Sequence, residues 1–312
     1  MKTAVLIPCL NEEQTIGKVV ADFKRVLPSA QIYVYDNDSS DRTATVAAAA
    51  GATVGKELRR GKGNQVRTMF REIDADIYLL VDGDDTYPAE AAPELLLAIC
   101  QSEADMIIGD RQSSGAYCLQ NKRLFHNFGN GLITMLTNLL FRSNLHDVLS
   151  GMRVLSRRFV QNCVINGSGF TVETELTLQA LGRHFSVKEI PIAYFARPPG
   201  SHSKLRTLTD GACIIKTIFS LFKHYRPIAF FSAISILTFA VGLAIGFPFI
   251  KEIVFGSSIF HLSGAILTIG LVGLSVIALI YGMIQNANVR QHKKNCRLQL
   301  RQSDKRLPKA GD

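Results

Sequence analysis

The 312-residue chain has six cysteines, Cys9, Cys100, Cys118, Cys163, Cys213 and Cys296, and no two of them form a Cys-x-x-Cys pair. Such scattering argues against a disulfide framework and a thiolate zinc site. Tryptophan is absent altogether. No Gly-x-x-x-x-Gly-Lys-Ser/Thr spacing occurs, which excludes an ATPase-type phosphate loop. Internal repeats and low-complexity segments are missing too. The apolar run Ala4 to Leu10 is only seven residues long, with Asn11, Glu12 and Glu13 directly after it, so it reads as a strand and not as an export signal. The formal net charge is +9, yet no basic stripe interleaved with aromatic residues stands upstream of the C-terminal region, and nucleic acid is not the expected partner.

In two places charge itself is scarce. Ile228 to Phe249 is a stretch of 22 residues without a charge, and the 26 residues from Ile259 to Ile284 have only His261 and Tyr281 as ionisable groups. Each can cross a hydrocarbon core of roughly 30 Å at about 1.5 Å per helical residue. The sequence therefore predicts transmembrane helices at 228–250 and 259–284, joined by a tight hairpin that contains Lys251, Glu252 and Gly256. Lys216, Lys223 and Arg226 precede the first span, and a basic tail, 285–312, follows the second with eight Lys or Arg against two Asp. Positive residues stay on the cytoplasmic side, so the expectation is an integral membrane protein whose large N-terminal domain and both termini are cytoplasmic. The tail fits anionic head groups, which makes membrane lipids a partner.

Over the first 110 residues short β-branched runs alternate with helical patterns, the mark of an α/β domain around a largely parallel sheet. Strands are expected at Ala4–Pro8, Gln31–Tyr35, Ile77–Val81 and Asp105–Gly109, with helices between them near Glu13–Val26, Asp41–Ala50, Asn64–Ile73 and Glu90–Gln101. The less regular half that follows predicts a long helix Lys122–Phe141, a strand Met152–Leu155, a helix Val172–Leu181 and a strand Val187–Tyr194. From 205 to 227, Leu208, Ala212, Ile215, Phe219 and Phe222 recur at helical spacing, either as an interfacial helix or as an amphipathic core helix.

Ligands in open α/β sheets bind beyond the carboxyl ends of the strands. Three turns stand there. In Asp82-Gly83-Asp84-Asp85 the alternate acids Asp82 and Asp84 can converge on one hard cation such as Mg2+ or Mn2+, which usually shares its coordination with substrate phosphates. Asp36-Asn37-Asp38-Ser39-Ser40-Asp41 offers acceptors for a nucleobase and ribose, with Asp36 as the reader and Asp41 as a helix cap. Pro8, Asn11 and Glu12 end the first strand, where they either cap a helix or line the pocket. Arg59-Arg60-Gly61-Lys62-Gly63-Asn64 is a basic, glycine-rich helix entry that suits a pyrophosphate.

The ordered set Ile7-Pro8 with Asn11-Glu12, Asp36, Gly61-Lys62-Gly63, Asp82-Gly83-Asp84, Ser150-Gly151-Met152-Arg153 and Gly200-Ser201-His202-Ser203-Lys204 resembles family 2 glycosyltransferases of the GT-A fold. Within them it is similar to the polyisoprenyl-phosphate group that includes dolichol-phosphate mannose synthase and bacterial bactoprenol-phosphate glucosyltransferases. The resemblance implies a Rossmann-like GT-A domain over 1–204 that takes a nucleotide-sugar donor and a polyisoprenyl phosphate acceptor. It assigns Pro8, Asn11, Glu12, Asp36, Lys62 and Asp82 to the nucleotide and Asp82 and Asp84 to the metal. Arg153, Arg197, Ser203 and Lys204 would face the acceptor phosphate, with Asp147 as an acid near the reacting centre. The chain departs from the usual D-D-G-S turn at Asp36-Asn37-Asp38-Ser39 and from the common S-G-F-R at Ser150-Gly151-Met152-Arg153. The arrangement leaves room for a homo-oligomer.

A phosphate monoester has a second pKa near 6, so a lipid phosphate is already a nucleophile at neutral pH and needs cations rather than a base. Attack on the anomeric carbon would invert it. Processive polysaccharide synthases, similar in the catalytic half, need a Q-x-x-R-W motif that a chain without tryptophan cannot carry. Transfer to a hydroxyl in glycolipid or polysaccharide synthesis stays as the alternative, and a silent lipid-binding adaptor as a third.

Overall fold

The computed structural model describes residues 1–102, 104–113, 124–167, 169, 171–198, 207–255 and 262–304. Seven strands lie among them: β1 (Thr3–Cys9), β2 (Gln31–Asp36), β3 (Thr53–Lys56), β4 (Ile77–Leu80), β5 (Met106–Asp110), β6 (Arg153–Ser156) and β7 (Val187–Pro191). They form one sheet in the order β3-β2-β1-β4-β6-β5-β7. Only β6 runs against its neighbours, β4 and β5; the other pairings are parallel. The helices are α1 (Ile16–Val26), α2 (Thr43–Ala49), α3 (Lys62–Glu72), α4 (Ala92–Ser102), α5 (Leu124–Phe141), α6 (Arg157–Asn162), α7 (Val172–Gly182), α8 (Thr207–Tyr225), α9 (Pro227–Phe255) and α10 (Leu262–Asp304).

The central strands are covered on both faces, so β1 is buried from Ala4 to Cys9 and reads as a near-continuous apolar run. Ile16, Val19, Val20 and Phe23 recur at helical spacing on α1 and enter the same core as Val5, Ile7, Val34 and Leu79. Pairing of Cys9 with Asp36 and of Leu6 with Leu80 brings the carboxyl ends of β2, β1 and β4 out at one edge. Because β6 is reversed, with Arg153 opposite Leu80, the start of β6 arrives at that edge too. The α/β, mostly parallel architecture agrees with the sequence. Two short elements, β3 and α6, were not anticipated.

The chain divides into two compact units, Met1–Phe219 and Ser220–Asp312. In the second, Pro227–Pro248 and Gly264–Gln291 have mean hydropathies of 2.4 and 2.3 and are long and apolar enough to cross a membrane. Only 6 % and 11 % of their most apolar windows is buried, unlike helices of a soluble core. Close approach of α9 and α10 depends on small residues, with Gly242 against Leu271, Gly246 against Thr268 and Gly282 against Phe231. The helical boundaries differ from the sequence reading. Lys251 and Glu252 lie inside α9, and α10 continues beyond Ile284 into the basic segment, where Gln285–Asp304 contains neither proline nor glycine. The expected stripe on α8 also shifts: Ile214, Ile218 and Phe222 are buried, whereas Ala212 and Phe219 are exposed.

Candidate active site

At the end of β1 three loops are fastened together. The Cys9 carbonyl accepts from the Asn37 amide (2.9 Å) and from Gln65 Nε2 (2.8 Å), which also reaches the Tyr35 carbonyl (2.6 Å). Asn11, at φ 50°, accepts from the Ser40 amide on its Oδ1 (2.8 Å), and its own amide donates to Ser39 Oγ (2.9 Å). The Glu12 carbonyl caps α1 by accepting from the Thr15 and Ile16 amides, and the Glu12 amide donates to Thr43 Oγ1 (2.8 Å). Pro8 is buried within β1 opposite Tyr35. Asp41 accepts from the Thr43 amide at the entry to α2 (2.9 Å).

Asp36 ends β2 with 5 % of its surface exposed. Its Oδ2 accepts from the Ser39 amide (3.1 Å), while its buried Oδ1 has no hydrogen-bond partner among the described residues. An orphaned buried acceptor costs about 1–3 kcal/mol, so this oxygen marks a place where a donor is missing. Next to it, Asn37 organises the following loop. Its Nδ2 donates to the Glu57 and Arg59 carbonyls (2.7 and 2.8 Å) and its Oδ1 accepts from the Gly61 amide (2.6 Å). Asparagine at this position is thus explained, since an aspartate cannot donate. Gly61, at φ 121°, then turns the chain into α3 with Lys62 as its first residue.

Lys62 Nζ bridges Asp82 Oδ1 and Glu173 Oε1. The second aspartate, Asp84, is paired with Arg197 (Nη2 to Oδ2, 2.5 Å) and accepts on Oδ1 from Thr86 Oγ1 (2.6 Å). The Phe195 amide donates to the Thr86 carbonyl (2.9 Å), which draws the chain before Arg197 to this turn. Burial, then repulsion from Asp82, raises the Asp84 carboxyl above the ordinary range. Burial pushes Asp82 the same way, but Lys62 and Arg197 outweigh it and hold Asp82 low. Two hard carboxylates that repel each other in a buried turn are a donor set that fits a divalent cation. A second group, Asp110, His146 and Glu189, has donor atoms within 4.8 Å of one another. Its carboxylates already accept from the Gln112, Ser113, His146 and Asp147 amides.

The loop before β6 departs from expectation. Arg153 is fully buried, with Nε on the Ser150 carbonyl (2.8 Å), Nη1 on Thr177 Oγ1 (2.6 Å) and Nη2 on the Val148 carbonyl (2.5 Å). It ties the loop together, with its guanidinium nitrogens spent on protein acceptors rather than left open for a phosphate. Gly151 is required because a Cβ there would collide with the Asp82 carboxylate. Asp147 is likewise sealed: Arg111 grips it with Nε to Oδ2 (2.7 Å) and Nη2 to Oδ1 (2.8 Å), and its amide donates to Glu189 Oε1 (2.8 Å). Burial opposes ionisation, but the Arg111 guanidinium holds this carboxyl below the usual range. It is not poised to take or give a proton. Ser203 and Lys204 lie outside the described residues.

Residues 4–163 match the family model described as glycosyl transferase family 2. The chain is a family 2 glycosyltransferase. Glycosyltransferase AglJ of Haloferax volcanii is 29 % identical over 93 % of this glycosyltransferase and 94 % of AglJ. A dolichyl-phosphate hexose transferase of the same organism is 31 % identical over 69 % of this chain and 91 % of its own. Among solved structures, glucosyl-3-phosphoglycerate synthase from Mycobacterium tuberculosis in complex with Mn2+, UDP-glucose and phosphoglyceric acid has a TM-score of 0.56 at 21 % identity, covering 71 % of this chain and 79 % of that one. That likeness establishes the GT-A fold. In the glycosyltransferase site, sequence reasoning missed Glu173, Arg111 and the loop-building role of Asn37. The Gly-Asp-Arg sequence at the end of β5 was the available signal for Arg111; Glu173 gave none, because a Glu in the first turn of a helix reads as solvated.

Proposed function

We propose that the enzyme transfers a sugar from a nucleotide-sugar to a polyisoprenyl phosphate, with inversion, to give a polyprenyl-phosphate sugar. One observation carries the choice of acceptor: Asp147, the acid that the family resemblance puts near the reacting centre, is locked in a salt bridge with Arg111. A hydroxyl acceptor needs a base during attack, whereas a phosphate dianion does not. The relative named as a dolichyl-phosphate hexose transferase and the two apolar helices support the same reading.

Asp82 and Asp84 would hold Mg2+ or Mn2+, which when bound offsets charge on the departing nucleoside diphosphate. The orphaned Oδ1 of Asp36 calls for an N–H or O–H from the donor's base or ribose, with Pro8, Asn11 and Glu12 shaping that end of the pocket. Lys62, paired with Asp82, is proposed for the diphosphate, and Arg197, paired with Asp84, stands at the same turn and is proposed for the acceptor phosphate. Ser203 and Lys204 are proposed for the acceptor phosphate. The charge asymmetry of the sequence assigns the catalytic domain and both termini to the cytoplasm.

The test uses the purified full-length chain in detergent with UDP- and GDP-sugars and either undecaprenyl or dolichyl phosphate, read by mass spectrometry of the lipid. Transfer to the phosphate and not to the matching polyprenol is expected. Equal transfer to the alcohol overturns the phosphate-acceptor reading.

A further inference from the structure

Glu173 has no part in the reading above, yet it shares one ammonium with the first aspartate of the metal turn. Lys62 Nζ contacts Asp82 and Glu173 together, with side-chain exposures of 10 % for Lys62 and 7 % for Glu173 against 28 % for Asp82. The triad joins the start of α3, the turn after β4 and the first turn of α7, where the helix dipole favours a carboxylate. The Glu173 backbone is fixed as well: its carbonyl accepts from Thr177 Oγ1 (3.0 Å), and Thr177 in turn accepts from buried Arg153.

This geometry sets a constraint on how Asp82 can serve a cation. While the ammonium sits on Oδ1, that oxygen of the carboxylate is capped, and the pair's attraction competes with a cation for Asp82. Releasing Asp82 by withdrawing Lys62 alone would strand a buried ammonium without a counter-charge, which is strongly unfavourable. Glu173 removes that obstacle, because Lys62 can let go of Asp82 and remain paired. The same movement keeps the ammonium beside the turn, where a diphosphate would meet it.

We propose that Glu173 is a positioning residue that takes over Lys62 when a divalent cation engages Asp82. Lys62 is then an internal counter-cation, and Glu173 sets how readily it yields. The proposal rests on the reading of Asp82 as a metal ligand, and the experiment separates the two.

Mn2+ alone is titrated into the detergent-purified full chain, and free Mn2+ is followed by its electron paramagnetic resonance signal. With Glu173→Gln, Lys62 has only Asp82 left, and apparent Mn2+ affinity is expected to fall about tenfold, the scale of coupling between directly contacting charged groups. Lys62→Met removes the competitor, so its affinity should equal or exceed that of the unmodified protein. In the Lys62→Met background, adding Glu173→Gln should change nothing beyond about twofold, since the coupled partner is gone. Glu173→Asp, which keeps the charge, should recover most of the affinity and shows that the site is folded. An equal loss from Glu173→Gln in both backgrounds would make Glu173 a structural residue and overturn the proposal, as would no loss in either. If Asp82→Asn binds Mn2+ like the unmodified chain, the ligand reading itself fails and the proposal falls with it.

Discussion

Arg153→Met separates a scaffold arginine from a phosphate-binding one. In the structure the guanidinium satisfies the Ser150 and Val148 carbonyls and Thr177 Oγ1 at 2.5–2.8 Å, with none of its surface exposed. Methionine fills a similar volume but donates nothing. Two backbone carbonyls are then left buried and unpaired at about 1–3 kcal/mol each. The burial that lowers the Arg153 pKa gives part of this back, since a desolvated charge is also removed. A net loss of about 3 kcal/mol follows, or roughly 6–12 °C in Tm for a domain of this size. Because the chain has eight tyrosines and no tryptophan, melting in detergent is conveniently followed by near-ultraviolet circular dichroism of the tyrosines. Acceptor KM is measured well below the lowered Tm and should move less than about threefold. An unchanged Tm together with an acceptor KM raised about tenfold, the scale of a lost charge-assisted hydrogen bond, would show that Arg153 faces the phosphate after all.

Asp82→Asn and Asp84→Asn should each lower turnover by about 10²-fold or more with little change in Tm, as expected for electrostatic contacts made mainly in the transition state; full activity in excess chelator would remove the metal role. Asn37→Asp sets a carboxylate against the Glu57 and Arg59 carbonyls and should cost about 2 kcal/mol or more, read as a lowered Tm; a neutral result would mean the loop is held otherwise. Arg59, opposed by burial and aided by Thr68, holds the Glu57 carboxyl down to about 2 from 4.5, so its stabilisation is complete above pH 4.5 and lost as pH falls through about 2. Glu57→Gln should therefore flatten the fall of Tm in that window, and an unchanged slope would exclude Glu57 as its source. Reporters fused after Asp312 and inserted at Gly256 should report opposite compartments; the same side for both would mean that one apolar helix does not span.

The strands of the sheet centre were legible because a strand covered on both faces has to be apolar along its whole length, as β1 is from Ala4 onward. Strand β3 was not, since it is four residues at the sheet edge and includes Gly55, whose missing Cβ accommodates the Tyr35 ring. Helix α6, six residues long, is too short for a period to register. In the candidate site, Asp36, Asp82 and Asp84 were proposed because strand ends predict where ligands bind, and the structure places them at the ends of β2 and β4. The burial of Arg153 was not legible because charge in a sequence suggests exposure, and nothing local reveals that two carbonyls and a threonine hydroxyl surround it. Glu173 was invisible for the complementary reason: its partner Lys62 is more than a hundred residues away. The apolar helices were obvious from absent charge, but the same signal misplaced the far end of α9, where Lys251 and Glu252 prolong the helix instead of breaking it.

Charge balance ties these pieces to the acceptor. Asp82, Asp84 and Glu173 carry three negative charges, against which the free protein sets Lys62 and Arg197, while Asp147 and Arg111 cancel one another behind them. A divalent cation and a donor diphosphate arrive with nearly opposite charges and leave that balance almost unchanged. A lipid phosphate brings about two further negative charges and no counter-ion. The groups that face this excess have to come from elsewhere in the chain, and the segment that follows Arg197, residues 198–206, contains Lys204 and Arg206 with no acid among them. A neutral hydroxyl acceptor would give such a segment nothing to neutralise. The cation surplus after Arg197 is therefore the part of the sequence in which acceptor selectivity is expected to reside, separate from the aspartate turn proposed for the donor.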